Sequence, residues 1–281
     1  MGKVYHAIAG LLACSLAFAA DPVPLGQLPK GKTFLVILSH HDDHTWKWGF
    51  GGFLARLVDS GWTGYYVRTT NDEKDGREWG PNDQVNLREA VEAVRRLGLK
   101  DVNSLNWRND HMSSVPLKEV RAQYILLIRK LRPDAVMSWN PWGHYDRNPD
   151  HKRVARAVGE AVWMAGLENV HPEHLAAGLK PYRVPTVFYS QRGDYGKGYT
   201  PNIAMEFNEA QLMRKVDAYW AHRNVRGEPA SAEAKRKEME QPSLEAGKRA
   251  GVKYAEVFYR LEEWDHLPGL KDFLNENARA K

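Results

Sequence analysis

The sequence predicts an α/β fold: a Rossmann-like, mostly parallel sheet with helices on both faces, in a single domain with a C-terminal elaboration. Three observations carry that expectation. Continuous apolar runs rich in β-branched and aromatic residues, such as Thr33–Leu38, read as strands buried on both faces. These runs alternate with segments of helical apolar spacing, as crossover-connected parallel strands require. The length, 281 residues, suits one large domain.

The elements follow in order. After the strand Thr33–Leu38, residues 50–58 carry apolar side chains at helical spacing (Phe50, Phe53, Leu54, Leu57, Val58) and stop at Gly61. Residues 64–69 read as a second strand, and a polar loop over 70–81 leads into a helix, Asn82–Leu97, closed by Gly98. A short strand at 102–107 and a strongly amphipathic helix, Leu117–Leu131, come next, then a buried strand at 134–139. Residues 150–165 predict a helix, Thr186–Ser190 a strand and 208–222 a helix. Beyond Gly227 the chain turns charged, with Pro229 and Pro242 as expected breaks before a last apolar segment at 254–261. No repeat or domain linker interrupts this series.

The two ends read differently. Lys3 precedes an apolar stretch at 7–19, no acidic residue occurs before Asp21, and Ala17-Phe18-Ala19 offers a small-x-small exit. That pattern predicts an export signal over residues 1–20, cleaved near Ala19 or Ala20, and a periplasmic or secreted mature protein. The stretch is shorter than the ~20 residues a membrane span needs, so no transmembrane anchor is expected after processing. The single cysteine, Cys14, lies inside it; lipidation there is the alternative to discard with the peptide. A mature chain without cysteine has neither disulfides nor thiolate ligands, so any metal must be held by His, Asp or Glu. The domain is expected over 30–262, with a tail at 263–281. Lys plus Arg is 40 against 35 Asp plus Glu, a net +5. The longest basic run, Lys235-Arg236-Lys237, is followed at once by Glu238 and Glu240, a solvated helix face rather than a nucleic-acid surface.

In an open α/β sheet, ligands collect outside the carboxyl ends of the strands. The first strand runs into Ser39-His40-His41-Asp42-Asp43-His44, with three His and two Asp in five residues. The strand at 134–139 leads to His144-Tyr145-Asp146-Arg147-Asn148-Pro149-Asp150-His151. Two imidazole–carboxylate clusters at two strand ends can converge on one ion, and these donors suit zinc held by three ligands plus water. Other readings are plain strand-end and helix-capping roles (Asp150 or Asn148), a His-x-Asp…His iron oxygenase triad, and a non-catalytic metal- or sugar-binding module.

Five segments resemble one family. Ser39-His40-His41-Asp42-Asp43 is similar to the (A/P)-H-P-D-D motif of the PIG-L/LmbE-like N-acetylglucosaminyl de-N-acetylases, with His41 where proline is usual. Gly51-Gly52-Phe53-Leu54-Ala55 resembles its G-G-T-L-A, and Leu87-Arg88-Glu89-Ala90 with Leu97-Gly98-Leu99 its L-R-E-x-E…L-G-V helix. Asp146-Arg147-Asn148-Pro149-Asp150-His151 resembles its D-R-H-P-D-H form, and Ala250 to Phe258 its G-x-x-Y-A-E-x-F segment. The resemblance implies a zinc-dependent hydrolase that removes an acetyl group from an N-acetylated sugar or glycoconjugate. It implies His40, Asp43 and His151 as Zn2+ ligands, and Asp42 as general base toward the zinc-bound water. It also implies Arg88 and Asp110 as substrate contacts. Trp46, Trp48, Trp79 and Trp142 fall near the strand ends, where an aromatic face suits a sugar ring. The family often has His where this chain has Asn148. An Asn amide can donate to an oxyanion but delivers no proton, so His144, then His44, are the expected donors.

Overall fold

The computed structural model describes residues 20–77, 80–142, 146–190 and 201–262. In chain order the described elements are β1 (Asp21–Val23), β2 (Thr33–Leu38), α1 (Gly51–Asp59), β3 (Thr63–Thr70), α2 (Asn82–Leu97) and β4 (Asp101–Trp107). Then follow α3 (Leu117–Leu131), β5 (Ala135–Trp139), α4 (Pro149–Met164), α5 (Pro172–Ala176), β6 (Thr186–Ser190) and β7 (Ile203–Phe207). The last are α6 (Glu209–Tyr219), α7 (Arg223–Arg226), α8 (Ala232–Ala250) and β8 (Tyr254–Glu262). One mixed sheet joins the strands in the order β1-β7-β8-β6-β5-β2-β3-β4. Neighbours from β6 through β4 are parallel, whereas β8 runs antiparallel to both β6 and β7. The expected mostly parallel α/β sheet with helices on both faces is what the chain forms.

β2 shows why. Its side chains alternate between faces, so Phe34, Val36 and Leu38 enter one core with Phe53, Leu57 and Leu97 of α1 and α2. Leu35 and Ile37 enter the other core with Ile125, Ile128, Val154 and Val158 of α3 and α4. Because both faces are covered, the run is apolar without alternation. The chain moves from β2 to β3 and β4 on one side, then returns through α3 to β5 on the other side of β2. The order therefore reverses between β2 and β5, which opens a crevice at their carboxyl ends.

Three features depart from the sequence expectations. β1 and β7 were not foreseen; the three residues of β1 form an edge strand on β7, with the Val23 carbonyl accepting from Arg56 Nη1 at 2.7 Å. The apolar segment at 254–261 is β8, the strand that joins β7 to β6. Pro242, expected as a break, lies inside α8. Proline in a helix interior costs about 3 kcal/mol. Tertiary anchors offset it: Met239 and Ser243 are buried, Lys215 Nζ donates to Ser243 Oγ at 3.1 Å, and the Tyr254 hydroxyl of β8 donates to Glu240 at 2.7 Å.

Lys215 also ties the C-terminal elaboration to the first helix. The Glu256 carboxylate, on β8, accepts from the Gly52 and Phe53 amides at the start of α1 (3.0 and 2.8 Å) and pairs with Lys215 Nζ at 2.8 Å. A carboxylate at a helix N-terminus satisfies otherwise orphaned amides. Gly51 and Gly52 are required by this closeness, since a Cβ would stand 2.7 Å from Lys215 Cγ and 2.6 Å from the Phe207 ring. Among the described residues no helix is long and apolar enough to cross a membrane.

Glu256→Ala should lower the unfolding free energy by about 3–5 kcal/mol in urea denaturation, because it leaves a buried ammonium unpaired. A loss under about 1 kcal/mol would mean that the Lys47 carbonyl and Ser243 suffice for Lys215.

Candidate metal centre

The chain leaves β2 at Ser39 and tightens into a 3-10 turn, Asp43–Thr45. Main-chain polar groups in this buried loop find side-chain partners. Asp43 Oδ2 accepts from the His40 amide at 2.9 Å, and Asp72 Oδ2 from the His41 amide at 3.1 Å. The Tyr66 hydroxyl donates to the His40 carbonyl, and Thr70 Oγ1 donates to the Ser39 carbonyl at 2.9 Å. The loop is thereby held with the His40 ring toward His151 and the His41 ring toward His222.

The other half arrives from β5. Asn148 caps α4, its Oδ1 accepting from the Asp150 and His151 amides at 2.9 and 3.4 Å, with Pro149 at the first helical position. His151 therefore sits in the first turn. Asp146 Oδ2 lies 2.7 Å from His151 Nδ1 and orients the ring. His151 Nε2 then lies 3.0 Å from His40 Nδ1 and 3.3 Å from Asp43 Oδ1, and His40 Nδ1 lies 3.5 Å from Asp43 Oδ2. The Trp139 ring stacks on His151 at 5.3 Å and its Nε1 donates to Asp43 Oδ2 at 3.3 Å.

These donors fit a divalent cation. His151 offers its Nδ1 proton to Asp146, and the far nitrogen of His40, Nε2, faces Asp150 Oδ2 at 3.4 Å. Both rings then turn a lone pair toward the same point as the Asp43 carboxylate, with a carboxylate behind each imidazole. Burial opposes charge on His40 and His151, yet Asp43 and the rear carboxylates outweigh it and raise both pKa values. Burial likewise pushes Asp43 up, but His151 and His40 hold it well below the usual carboxylate range. A site that draws protons onto imidazoles in a dry pocket is one that favours positive charge.

The other sequence-identified residues are placed less uniformly. Asp42, half-buried, pairs through Oδ2 with Arg226 Nη2 at 2.7 Å. Burial pushes its carboxyl up, but the Arg226 guanidinium and His41 hold it below the ordinary value. Asp110 is exposed, 3.6 Å from Lys74 Nζ, while its amide donates to Asp150 at 2.6 Å. Arg88 is exposed on α2; Glu92, four residues on, pairs instead with Arg95 and Arg96. Trp46 is half-buried, 6.0 Å from the Trp48 ring and 5.6 Å from the Arg226 guanidinium. Trp142 is exposed and edge-on to Tyr189 and Tyr259. His44 is fully buried against Tyr66, and burial pulls its pKa down to about 3. His144 and Trp79 lie outside the described residues.

Several residues beside the site carried no assigned role in the sequence. Asp146 lies in the distal motif, where its spacing of five from His151 was the available signal. Asp75, in the loop after β3, comes within 4.8 Å of His40 together with Asp72, and burial pushes its carboxyl up to about 6. Arg226 lies 184 positions from Asp42, and no local pattern could have joined them.

The PIG-L family model, described as GlcNAc-PI de-N-acetylase, matches residues 35–162. A diacetylchitobiose deacetylase from Thermococcus kodakarensis is 32% identical over 173 residues, which cover 58% of this chain and 62% of that protein. The match thus spans less than two thirds of that relative's length. An N,N'-diacetylchitobiose deacetylase from Pyrococcus horikoshii, solved with an inhibitor, superposes with a TM-score of 0.71 at 25% identity, over 86% of this chain and 88% of that one. The 4-carboxy-2-hydroxymuconate hydratase GalB from Pseudomonas putida shares the fold at 19% identity and a TM-score of 0.64, over 82% of this chain and 96% of that one.

Asp146→Ala should weaken zinc affinity by about 10- to 100-fold in competition with a chromophoric chelator, while Asp146→Asn retains part of it. Unchanged affinity would mean that the Trp139 stack alone positions His151.

Proposed function

We propose, from the match of residues 35–162 to the PIG-L family model, that this chain is a metal-dependent amidohydrolase that removes an acetyl group from an N-acetylated sugar or glycoconjugate. The observation that carries the proposal is the convergence of His40, Asp43 and His151, with Asp42 next to Asp43 on the same loop. The proposed ion is zinc, although the same donors accept other divalent metals. Held there, it would acidify a water to a pKa near 7 and polarise the acyl oxygen.

The remaining work falls to side chains. Asp42 is the proposed base that takes the proton from the attacking water. Its ion pair with Arg226 keeps it ionised at neutral pH and fixes its direction, at a cost in basicity. Asn148 commits its oxygen to capping α4, which leaves its amide nitrogen as the donor it can offer an acyl oxygen. His144 is the proposed proton donor to the leaving amine. His44, fully buried and neutral with a pKa of about 3, is a poor acid for that step at ordinary pH. Arg88 and Asp110, both exposed, and half-buried Trp46 are the proposed substrate contacts. Export through residues 1–20 belongs to the same reading and rests on the sequence pattern alone.

The direct test is acetate release by the purified protein from a panel of chito-oligosaccharides, peptidoglycan fragments and N-acetylated glycosides. Metal-dependent release from at least one class is expected, and chelation should abolish it. Silence on every class, with metal bound, would favour a binding module.

Asp42→Asn should retain the metal and lose about 10²- to 10⁴-fold in kcat. Arg226→Gln should move the acid limb of kcat/KM to higher pH. The guanidinium depresses Asp42, so without it the carboxylate is protonated earlier on acidification. An acid limb unmoved in Arg226→Gln would detach that limb from Asp42.

A further inference from the structure

A second group of imidazoles lies outside the site described above. His41 comes from the loop after β2, Glu89 from α2, and His222 from the turn between α6 and α7. One ligand atom from each lies within 4.8 Å of the others. The His41 and His222 rings are fully buried and meet edge-on at 5.2 Å. Neither nitrogen of either ring has a hydrogen-bond partner. His41 Nδ1 instead faces Asp72 Oδ2 at 3.5 Å.

We propose that His41, Glu89 and His222 bind a second divalent transition-metal ion. Two imidazoles and a carboxylate are a three-donor set for zinc and its neighbours. Two of the donors have support. The Asn224 amide donates to both Glu89 oxygens at 3.0 and 3.1 Å, which fixes that carboxylate. Asp72 stands behind His41 as Asp146 stands behind His151. Arg226, which follows His222 in α7, is already paired with Asp42. A carboxylate among the unpaired imidazoles distinguishes this group from a polar pocket that needs only water. Because His41 stands between His40 and Asp42, the second ion would brace the loop that carries the first ligands and the base. The inference does not depend on the deacetylase reading.

The test is a count of ions. Protein equilibrated with Zn2+ and desalted is assayed by elemental mass spectrometry, and wild-type crystals are examined by anomalous scattering at the zinc edge. Two ions per chain are expected in the wild type. His151→Ala, Glu89→Gln and His222→Gln should each hold one, with circular dichroism confirming the fold. A single wild-type ion that survives in His222→Gln and vanishes in His151→Ala would overturn the proposal, leaving an imidazole cluster satisfied by water. So would two ions that both persist in His222→Gln. A single ion lost in His222→Gln and kept in His151→Ala would uphold this site and remove the first. The anomalous map keeps the test decisive if a variant fails to fold.

Discussion

Three acceptors facing one point in a dry crevice is the constraint on which the rest depends. His40 and His151 bring ring nitrogens to 3.0 Å, with the Asp43 carboxylate beside them. In a low-dielectric pocket such lone pairs repel unless a proton or a cation lies between them. Each ring nitrogen left unmet would cost about 1–3 kcal/mol. The arrangement therefore persists only because rigid surroundings hold it. Asp146 and Asp150 stand behind the rings, Trp139 stacks below His151, and Tyr66 pins the His40 carbonyl.

Those surroundings are in turn fixed by the sheet. β2 and β5 are adjacent parallel strands at the place where strand order reverses, so the loops leaving them diverge and open the crevice. Asp43 enters through a 3-10 turn and His151 through the first turn of α4. The contact far from this crevice that matters most is Glu256. From β8 it caps α1, whose own start follows the Asp42-Asp43 loop, and its pairing with Lys215 draws α6 and α8 to the same place. Two motif glycines and a motif glutamate, 204 positions apart, thus serve one packing junction.

The site also shows how one side chain divides its capacities. Asn148 uses its oxygen to start α4, as a helix cap must, and only its amide nitrogen remains for other work. Asp42 gains orientation from Arg226 and loses basicity to it. Such details, rather than the fold, separate one chemistry from another, since a hydratase shares this architecture.

The sequence by itself determined the alternation of strands and helices, the buried β2 and β5, the helix closed by Gly98, and the histidines and aspartates that meet at the crevice. Each of these is written in local periodicity or in a short motif beside a strand end, where a few neighbouring residues suffice to set conformation. Only the tertiary structure decided that α8 runs through Pro242, that β8 joins the sheet antiparallel, and that β1 has a partner at all. It also decided that Arg226 reaches Asp42, that Asp146 orients His151, and that His41 meets Glu89 and His222. The physical reason is sequence separation. Asp42 lies 184 positions from Arg226, Gly52 lies 204 from Glu256, and His41 is similarly remote from His222; these pairings are settled by burial, which no local pattern of residues records.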